Sequence, residues 1–492
     1  MRFSIMTLGC KVNQYDGEAL AAALRAAGLR RARSGQTPDL VVVNTCCVTA
    51  TAMRKSRQAL RRLLRRWPGA AVLVTGCYSD YDGRRIGEIL TRMNVPPDRA
   101  ALAGHHGDLA ARIEQFARRL CRPTPHAPAG QKAHPRADPC GYDVCISAPD
   151  DARIAASPDS IPTRRNAAVK AHVPAAEGLP PLDRFAGHQR AFVKVQDGCD
   201  AFCSYCIVPY TRPRVWSRSV DDVADECRRL VAAGHKEIVL CGVSLGSFGR
   251  ATAVRRRWEA APSSLPELLR EIARIDGLWR VRLSSIEPGD VTDDLLAAVA
   301  ELPAAARHFH LPLQSGSQRI LRRMNRQYTA DEYRRTVERI ASVLDRPALT
   351  TDVIVGFPGE QEDDFAGTLA MAEFAGFAKI HAFPFSPVEP TAAWRHRDEA
   401  PPAGVVRSRM ARLAETERRL AEAYRRRFLG ETLEALVERP RASSPVRRAM
   451  TDRYLTVTFG APRDAGVDLT GRVVRVGIDA VTAEGLAGHR AD

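Results

Sequence analysis

Three cysteines follow one another closely in the middle of the chain, at Cys199, Cys203 and Cys206. Thiolates at this spacing are the ligands that iron–sulfur clusters take. A cubane has four irons, so three cysteines leave one iron open to a cosubstrate, as the open position of a catalytic metal site does. A zinc knuckle would need a fourth Cys or His nearby, and IVPYTRPR, which follows, has none. A disulfide with a spare thiol would suit a secreted chain, and the N-terminus does not resemble a signal peptide.

A second set of three cysteines is spread over the first 80 residues, at Cys10, Cys46 and Cys77. Each cysteine comes directly after a short apolar run that predicts a strand, and these runs are RFSIMTLG (2–9), DLVVVNT (39–45) and AVLVTG (71–76). Because the carboxyl ends of parallel strands share one edge of a sheet, we expect the three thiols to converge at a second cluster site. One cysteine at such an edge would indicate packing only. Cys47 is the alternative ligand at the second position.

The elements that would carry these cysteines predict an α/β protein of several domains. Residues 1–120 alternate strands with helices, which indicates a parallel α/β domain, and the predicted helices are 16–27, 51–66 and 83–92. Residues 121–187 are rich in Pro and Ala without hydrophobic period and predict a poorly ordered linker. No role is assigned there to Cys121, and Cys140 and Cys145 are not expected to bind metal or pair.

The second half of the chain predicts two further domains. Residues 188–427 contain six strand–helix repeats, compatible with a partial (βα)6 barrel whose chemistry lies at the carboxyl ends of its strands. The sequences of the predicted strands are AFVKVQD, EIVLCG, RVRLSS, HFHLPL, TTDVIVGF and IHAFPF. An arginine-rich helix at 405–427 ends the domain. Residues 428–492 have short alternating strands, which predict a small β-barrel. Cys227 and Cys241 lie in apolar patterns and are expected in the core.

The amino-acid composition indicates what kind of partner the protein binds and in which compartment it lies. The formal charge is +16 with a pI near 9.6, which favours RNA as a partner, although arginine also decorates ordinary surfaces. No apolar run approaches the ~20 residues that span a bilayer, so no membrane segment is expected. Twelve cysteines without a secretory signal indicate a reducing compartment, the cytoplasm. A monomer is compatible with the sequence.

Four motifs around the cysteines resemble those of the radical S-adenosylmethionine methylthiotransferases. They are GCDAFCSYCIVPYTRPR (198–214), TLGCKVNQY (7–15), NTCCVT (44–49) and VTGCY (74–78). The resemblance implies that Cys199, Cys203 and Cys206 bind a [4Fe-4S] cluster whose open iron chelates S-adenosylmethionine. It also implies that Cys10, Cys46 and Cys77 bind an auxiliary [4Fe-4S] cluster, with Cys47 buried and inert. Chemistry at the clusters needs no side-chain acid or base, but it needs a low-potential electron donor and a sulfur donor.

The same resemblance implies contacts to the cosubstrate and to RNA. Residues expected around S-adenosylmethionine are Gly242, Gly246, Ser285, Glu287 and Gln314. Lys55, Arg57, Arg61 and Arg62 lie on a basic helix that would contact RNA phosphates, and the alternative is a solvated face. Residues 428–492 resemble the TRAM domain, an RNA-binding barrel. Tyr454 and Phe459 are its few aromatic residues, so charge is expected to contribute more to RNA binding than base stacking does. The sequence departs from the family at Pro213 and Trp216, where Gly and Arg are usual, which puts any backbone contact there in doubt.

The substrate is implied by one motif. GCKVNQY resembles the enzymes that act on N6-threonylcarbamoyladenosine at position 37 of tRNA, beside the anticodon, and form its 2-methylthio derivative. Anticodon-loop bases are splayed out and read one at a time, which suits a buried active site. Relatives acting on isopentenyladenosine or on a ribosomal-protein aspartate are the alternatives within the family. Outside it, a non-catalytic iron–sulfur RNA-binding protein or an electron carrier would also explain clusters and charge.

Overall fold

The computed structural model describes residues 1–104, 109–121, 144–145, 179–257, 263–440, 446–460 and 468–491. The chain divides into two compact units. Unit 1 comprises Met1–Pro181 together with Tyr210–Arg212, and unit 2 comprises Leu182–Pro209 with Pro213–Asp492. None of the described helices is both long enough and apolar enough to cross a membrane.

Unit 1 is built on a six-stranded sheet in which every neighbouring pair of strands is parallel. Its strands are β1 (Arg2–Thr7), β2 (Arg30–Arg31), β3 (Leu40–Thr45), β4 (Ala71–Gly76), β5 (Ala100–Ala103) and β6 (Val144–Cys145), and its helices are α1 (Lys11–Ala26), α2 (Ala50–Arg66), α3 (Cys77–Arg92) and α4 (Leu109–Cys121). The spatial order is β2-β1-β3-β4-β5-β6. Every residue of β3 and β4 is buried, as in a parallel sheet covered on both faces. The predicted parallel α/β fold is confirmed.

Two helices of unit 1 begin earlier than the sequence pattern predicted. Helix α1 begins at Lys11 rather than 16, and α3 begins at Cys77 rather than 83. Cys10 is the N-cap of α1, and Gly76, with a φ of +96°, turns the chain directly from β4 into α3. Helix α3 is kinked at Asp82, whose φ is −150°, so its hydrophobic period becomes regular only after that residue. Two of the predicted cluster ligands therefore lie at helix N-termini.

The region expected to be a poorly ordered linker is described only in part. Val144 and Cys145 form strand β6, which pairs in parallel with β5. The end of the region is ordered, because Leu182 and Phe185 are buried in unit 2 and their backbone N–H groups donate to Glu226 and His235 at 2.9 and 3.1 Å. Leu182 and Phe185 therefore pack into unit 2, and the linker predicted for residues 121–187 stays a prediction. Residues 122–143 and 146–178 lie outside the described residues.

The first part of unit 2 is an open barrel of six parallel strands. The six parallel strands are β7 (Arg190–Asp197), β9 (Glu237–Gly242), β10 (Arg280–Leu283), β11 (His308–His310), β12 (Ala348–Val355) and β13 (Lys379–Pro384), and the short strand β8 (Trp216–Ser217) lies beside β7. The helices between Val208 and Arg426 are α5 (Val208–Thr211), α6 (Val220–Ala232), α7 (Leu265–Ala273), α8 (Asp293–Glu301), α9 (Gln318–Arg323), α10 (Ala330–Val343), α11 (Glu362–Ala375), α12 (Ala392–Arg395) and α13 (Ala403–Arg426). Strand order β10-β9-β7-β8 continues into β11-β12-β13 through parallel bridges between Val281 and Ala305 and between Ser285 and His310. Strand β8 is antiparallel to β7. The predicted partial (βα)6 barrel is confirmed.

The C-terminal part of unit 2 is a closed five-stranded barrel in the order β14-β15-β16-β18-β17. Its strands are β14 (Thr432–Val437), β15 (Val446–Thr451), β16 (Thr456–Gly460), β17 (Val473–Val481) and β18 (Leu486–Arg490). The small β-barrel predicted from the alternating pattern is confirmed. The domain boundaries predicted at 120, 187 and 427 stay predictions.

A turn of this closed barrel covers the amino-terminal ends of the open-barrel strands. Arg282, which is fully buried, donates to Glu237 at 2.8 Å and to the carbonyl oxygen of Asp452 at 2.7 Å. The Tyr454 ring stacks on His308 with a centroid distance of 5.0 Å. Phe459 is in the core of the closed barrel. Both aromatic residues considered for base stacking are thus occupied by packing within the protein.

Candidate functional site

The loop with Cys199, Cys203 and Cys206 begins at a glycine that no other residue could replace. Gly198 follows β7 with a φ of +78°, and a Cβ atom there would lie 1.7 Å from the carbonyl oxygen of Arg214. Its N–H donates to Asp197 Oδ1 at 2.8 Å. Gln196 links this start to the turn after β9, because its Oε1 accepts from Ser244 N at 2.7 Å. The loop therefore leaves the carboxyl end of β7 in a fixed direction.

The segment after α9 holds the other side of the loop. Ser204 N donates to the carbonyl of Met324 at 2.9 Å, and Ser204 Oγ donates to the carbonyl of Arg323 at 2.8 Å. Asn325 Nδ2 donates to the carbonyl of Phe202 at 2.9 Å. These bonds fix the backbone between the first and the last cysteine, so the thiols are positioned before a cluster binds.

A buried arginine connects one of these thiols to a predicted cosubstrate residue. The side chain of Arg326 is 4% exposed. Its Nη1 lies 3.1 Å from Cys203 Sγ and 3.2 Å from Tyr205 Oη, and its Nη2 donates to both carboxylate oxygens of Glu287 at 2.7 and 2.5 Å. Arg326 was not predicted as a site residue, because 123 positions separate it from Cys203.

A cavity of about 140 Å³ adjoins these groups at the carboxyl ends of the strands. Its walls include Cys199, Cys203, Ser285, Glu287 and Arg326. This location agrees with the rule that barrel enzymes bind substrates at this end. The cavity thus combines thiols, a hydroxyl and a carboxylate–guanidinium pair.

The remaining predicted cosubstrate residues are not cavity walls among the described residues. Val243, Ser244 and Leu245 line the cavity between Gly242 and Gly246. Gly246 packs against Asp290, since a Cβ there would lie 2.2 Å from Asp290 Oδ2. Gln314 is buried and pairs through its backbone with Asp352 and Ile354. The cosubstrate roles of these residues stay predictions.

Burial raises the pKa of all three loop cysteines and so favours their neutral thiol form. Burial raises the pKa of Cys206 to about 12, and the neighbouring Cys203 thiol adds to the rise. Thiols with a raised pKa become thiolates when a metal supplies the compensating charge. Among the described residues, no three His, Cys, Asp or Glu side chains gather closely enough to hold a single metal ion.

The three cysteines of unit 1 lie near one another at the carboxyl edge of its sheet. A Cβ on Gly9 would lie 3.0 Å from Cys46 Sγ, which places the end of β1 against the end of β3. Burial raises the pKa of Cys46 to about 12, and the thiols of Cys77 and Cys10 add to it. Cys47 is fully buried, and its Sγ lies 3.3 Å from the carbonyl oxygen of Cys77. Its burial agrees with the prediction that Cys47 is a packing residue.

Buried polar groups surround these thiols. Asn13 Nδ2 donates to the carbonyl of Thr45 at 3.0 Å, and Asn44 Nδ2 donates to the carbonyl of Asn13 at 2.8 Å. Within the described part of the chain, Thr75 Oγ1 and Ser79 Oγ are buried without a hydrogen-bond partner. Hydroxyls can donate, and buried donors without partners are rare in native proteins. A sulfide-bearing cluster would supply acceptors, so the residues present fit a [4Fe-4S] group.

A second buried arginine belongs to this site. Arg212, one of the three residues after the cysteine loop that belong to unit 1, is 5% exposed in its side chain. Its Nη2 donates to Asp16 at 2.7 Å, and its Nε lies 3.5 Å from Cys77 Sγ. Arg212 was not predicted as a site residue, since 135 positions separate it from Cys77. No periodicity or local motif could indicate that contact.

The predicted RNA-binding residues lie on α2, which begins a few residues after Cys46. Lys55 and Arg62 are exposed, and Arg57 and Arg61 are half-buried. Arg57 Nη1 donates to Tyr78 Oη at 2.9 Å. Within the described ranges, none of the four forms an ion pair with a carboxylate. The helix therefore presents uncompensated positive charge.

Comparison with known proteins gives two family matches. Residues 193–372 match the Radical SAM superfamily, and residues 2–95 match uncharacterized protein family UPF0004. A radical S-adenosylmethionine methyltransferase, TsrM, from Kitasatospora setae superposes with a TM-score of 0.50 at 16% identity, over 80% of this chain and 76% of that chain. At that identity the likeness shows the fold alone.

Curated relatives cover nearly the whole chain. Threonylcarbamoyladenosine tRNA methylthiotransferase MtaB from Chlamydia pneumoniae is 33% identical over 99% of this chain and 97% of its own length. The protein of the same name from Bacillus subtilis is 31% identical over 96% and 92%. The tRNA-2-methylthio-N(6)-dimethylallyladenosine synthase of Sorangium cellulosum is 34% identical over 89% and 82%. Membership of the Radical SAM superfamily implies S-adenosylmethionine and a [4Fe-4S] cluster. The chain belongs to the radical S-adenosylmethionine methylthiotransferase family.

Proposed function

We propose that this protein adds a methylthio group to N6-threonylcarbamoyladenosine beside the anticodon of tRNA, using two [4Fe-4S] clusters and S-adenosylmethionine. The observation that carries the proposal is the second group of three thiols at one sheet edge of unit 1. A radical enzyme that only abstracts hydrogen needs one cluster site, whereas sulfur insertion needs a second site to hold the sulfur. The GCKVNQY motif at 9–15 supports the threonylcarbamoyl substrate.

At the first site, Cys199, Cys203 and Cys206 would hold a cluster whose fourth iron is open to S-adenosylmethionine. When bound, the two groups supply the radical chemistry of the superfamily. Arg326 donates to Glu287 through two hydrogen bonds, which fixes that carboxylate on the cavity wall. A fixed carboxylate can accept from an amino or hydroxyl group of the cosubstrate. The chain thus contributes orientation and exclusion of water.

At the second site, Cys10, Cys46 and Cys77 would hold the auxiliary cluster. Thr75 and Ser79 would donate to its sulfides, since their buried hydroxyls have no other partner in the described residues. Arg212 would offset part of the negative charge, because its guanidinium lies against Cys77. A second S-adenosylmethionine would supply the methyl group, and a low-potential electron donor and a sulfur donor complete the reaction that we propose.

RNA would bind through the basic face of α2. Arginine is also abundant on α13, but there Arg412, Arg418 and Arg426 each pair with a glutamate. Paired arginines attract phosphate less than the uncompensated charge of Lys55, Arg57, Arg61 and Arg62. The C-terminal barrel is a second candidate RNA surface on the strength of its resemblance to the TRAM domain.

Dimethylallyladenosine is the alternative substrate. The relative of that name from Sorangium cellulosum is as similar in identity as the two threonylcarbamoyladenosine enzymes, so identity does not discriminate between the two. The distinction must come from the residues that face the modified base.

One experiment tests the proposed function. The reconstituted protein is incubated with dithionite, sulfide, S-adenosylmethionine and an anticodon stem-loop RNA that carries either modified adenosine, and nucleosides are analysed by mass spectrometry. We expect 5′-deoxyadenosine together with 2-methylthio-threonylcarbamoyladenosine. Formation of 5′-deoxyadenosine without any methylthio nucleoside would contradict the proposal.

A further inference from the structure

The inner face of the open barrel carries polar residues on its last three strands. Along β12, Thr351, Val353 and Val355 are buried towards the outer layer, whereas Asp352 and Ile354 are partly exposed. Since side chains alternate between the two faces of a strand, Asp352 points into the barrel. Asp352 and Ile354 pair in register with His381 and Phe383 of β13, which therefore share that inner face.

Asp352 is connected to His310 of β11 and, through it, to Thr350 of β12. His310 Nε2 lies 3.3 Å from Asp352 Oδ2, and its Nδ1 lies 3.0 Å from Thr350 Oγ1. Because both ring nitrogens of His310 are occupied, that ring fixes the orientation of the Asp352 carboxylate. The His381 ring lies 5.9 Å from the His310 ring, centroid to centroid. Asp352 retains 32% side-chain exposure and His381 is exposed, so both can meet a ligand.

The group adjoins the proposed cosubstrate cavity. Ser285, which lines that cavity, is the bridge partner of His310 across the junction of the two sheets. Parallel partners project to the same face, so the His310 side chain lies beside that of Ser285. Phe383, two residues beyond His381 on the same face, is 46% exposed. An exposed aromatic ring next to polar groups offers a stacking surface for a base.

We infer that Asp352 and His381, oriented through His310, form the subsite that receives the N6 substituent of the adenosine and select a polar substituent over a hydrocarbon one. The inference rests on the proposed function. A threonylcarbamoyl group carries N–H and hydroxyl donors for Asp352 and a carboxylate that can accept from His381. A dimethylallyl group offers no donor to Asp352 and no acceptor to His381, yet it would displace water from both.

The size of the discrimination follows from that asymmetry. A site built to hydrogen-bond a polar group rejects an apolar analogue strongly, because its own polar groups lose their partners. Hydrocarbon pockets discriminate far more weakly between ligands of similar size. His381 and Asp352 are specificity residues in this account, and neither takes part in the radical chemistry.

The test measures binding of two labelled anticodon stem-loops to the full-length reconstituted protein by fluorescence anisotropy. One RNA carries threonylcarbamoyladenosine and the other carries dimethylallyladenosine at the same position. We expect the wild type to bind the first RNA at least ~10-fold more tightly. His381→Leu should remove most of that ratio, His381→Gln should keep part of it, and Asp352→Asn should lower it. His396→Leu is the matched control, since exposed His396 also pairs with a carboxylate, Glu399, at 2.7 Å.

The outcomes separate this inference from the proposed function. An unchanged ratio in His381→Leu, with unaltered thermal melting, would overturn the inference while methylthiolation by the wild type still supports the function. Methylthiolation of the dimethylallyl RNA alone would overturn the inference and the threonylcarbamoyl substrate together. If the wild type cleaves S-adenosylmethionine but modifies neither RNA, the proposed function fails and the inference fails with it.

Discussion

The two groups of three cysteines reach similar chemistry by different constructions. In unit 2 the cysteines share one loop, which Gly198 starts and the Met324 backbone clamps. In unit 1 they come from the ends of three strands, and only the parallel sheet brings them together. The first arrangement depends on local backbone geometry, whereas the second depends on the fold of the whole unit.

Each group nevertheless has a buried arginine that contacts one cysteine and one carboxylate. Arg326 contacts Cys203 and Glu287, and Arg212 contacts Cys77 and Asp16. A thiolate-bound cluster is anionic, and a neighbouring guanidinium offsets part of that charge. In both constructions a carboxylate holds the arginine against one thiol.

The largest effect is expected for Arg212→Met in unit 1. Asp16 and Arg212 are both at most 5% exposed in their side chains, so removing one partner leaves a buried carboxylate uncompensated. We expect the free energy of unfolding of unit 1 to fall by about 3–5 kcal/mol. Urea unfolding of the apoprotein, followed by hydrogen exchange in β3 and β4, measures it. The double variant Arg212→Met/Asp16→Asn should recover much of the loss. No recovery in the double variant would show that the pair does not act as a unit.

A smaller effect is expected for Arg326→Met in unit 2, because the Glu287 side chain keeps 32% exposure. The loss in the free energy of unfolding should be about 2–4 kcal/mol. The variant should also bind S-adenosylmethionine more weakly at unchanged iron content, since Glu287 is no longer held on the cavity wall. Arg326→Lys keeps the charge but loses the bidentate hydrogen bonds to Glu287, so its stability and its affinity for S-adenosylmethionine should lie between those of the wild type and of Arg326→Met. If Arg326→Met binds S-adenosylmethionine with wild-type affinity, the positioning of Glu287 by Arg326 does not contribute to binding.

The third prediction concerns pH and should distinguish the two units. Burial raises the pKa of Asp290 from 3.8 to about 6. The folded state therefore holds this proton more tightly than the unfolded state, and the stability it contributes is complete below pH 3.8 and is lost as the pH rises through about 6. As the pH rises from 4 to 7, Asp290→Asn should lose about 2–3 kcal/mol less stability in unit 2 than the wild type does, because asparagine does not titrate. Denaturant unfolding at several pH values checks this, and an equal difference in unit 1 would contradict it.

The smallest effect per residue is expected on the basic face of α2. Replacing Lys55, Arg57, Arg61 and Arg62 by Gln one at a time should weaken tRNA binding by about 1 kcal/mol each and lower the salt slope by about 1. Arg418→Gln on α13, where the arginine pairs with Glu415, is the matched control. Titrations at several salt concentrations measure both. If Arg418→Gln weakens tRNA binding more than the α2 variants do, the main RNA-binding surface lies on unit 2.

Much of the fold and part of each site could be predicted from the sequence. The cysteine loop could be predicted because its three cysteines lie close together in the sequence. The second group could be predicted because each of its cysteines follows a predicted strand. The starts of α1 and α3 were missed because only three residues separate β1 from α1 and α3 begins directly after β4. Arg212, Arg326 and the inner-face group of His310 were missed because their contacts join residues distant in the chain. Short strands such as β2 and β15 carry too little apolar pattern to be recognised.

The central claim is that each group of three cysteines holds its own four-iron cluster. The most direct test is iron and sulfide analysis, after anaerobic reconstitution, of the wild type and of two triple alanine variants, one at Cys10, Cys46 and Cys77 and one at Cys199, Cys203 and Cys206. We expect about eight irons per chain in the wild type and about four in each triple variant. Cys47→Ala should keep about eight, as a packing residue would. About eight irons in either triple variant, or about four in the wild type, would contradict the claim.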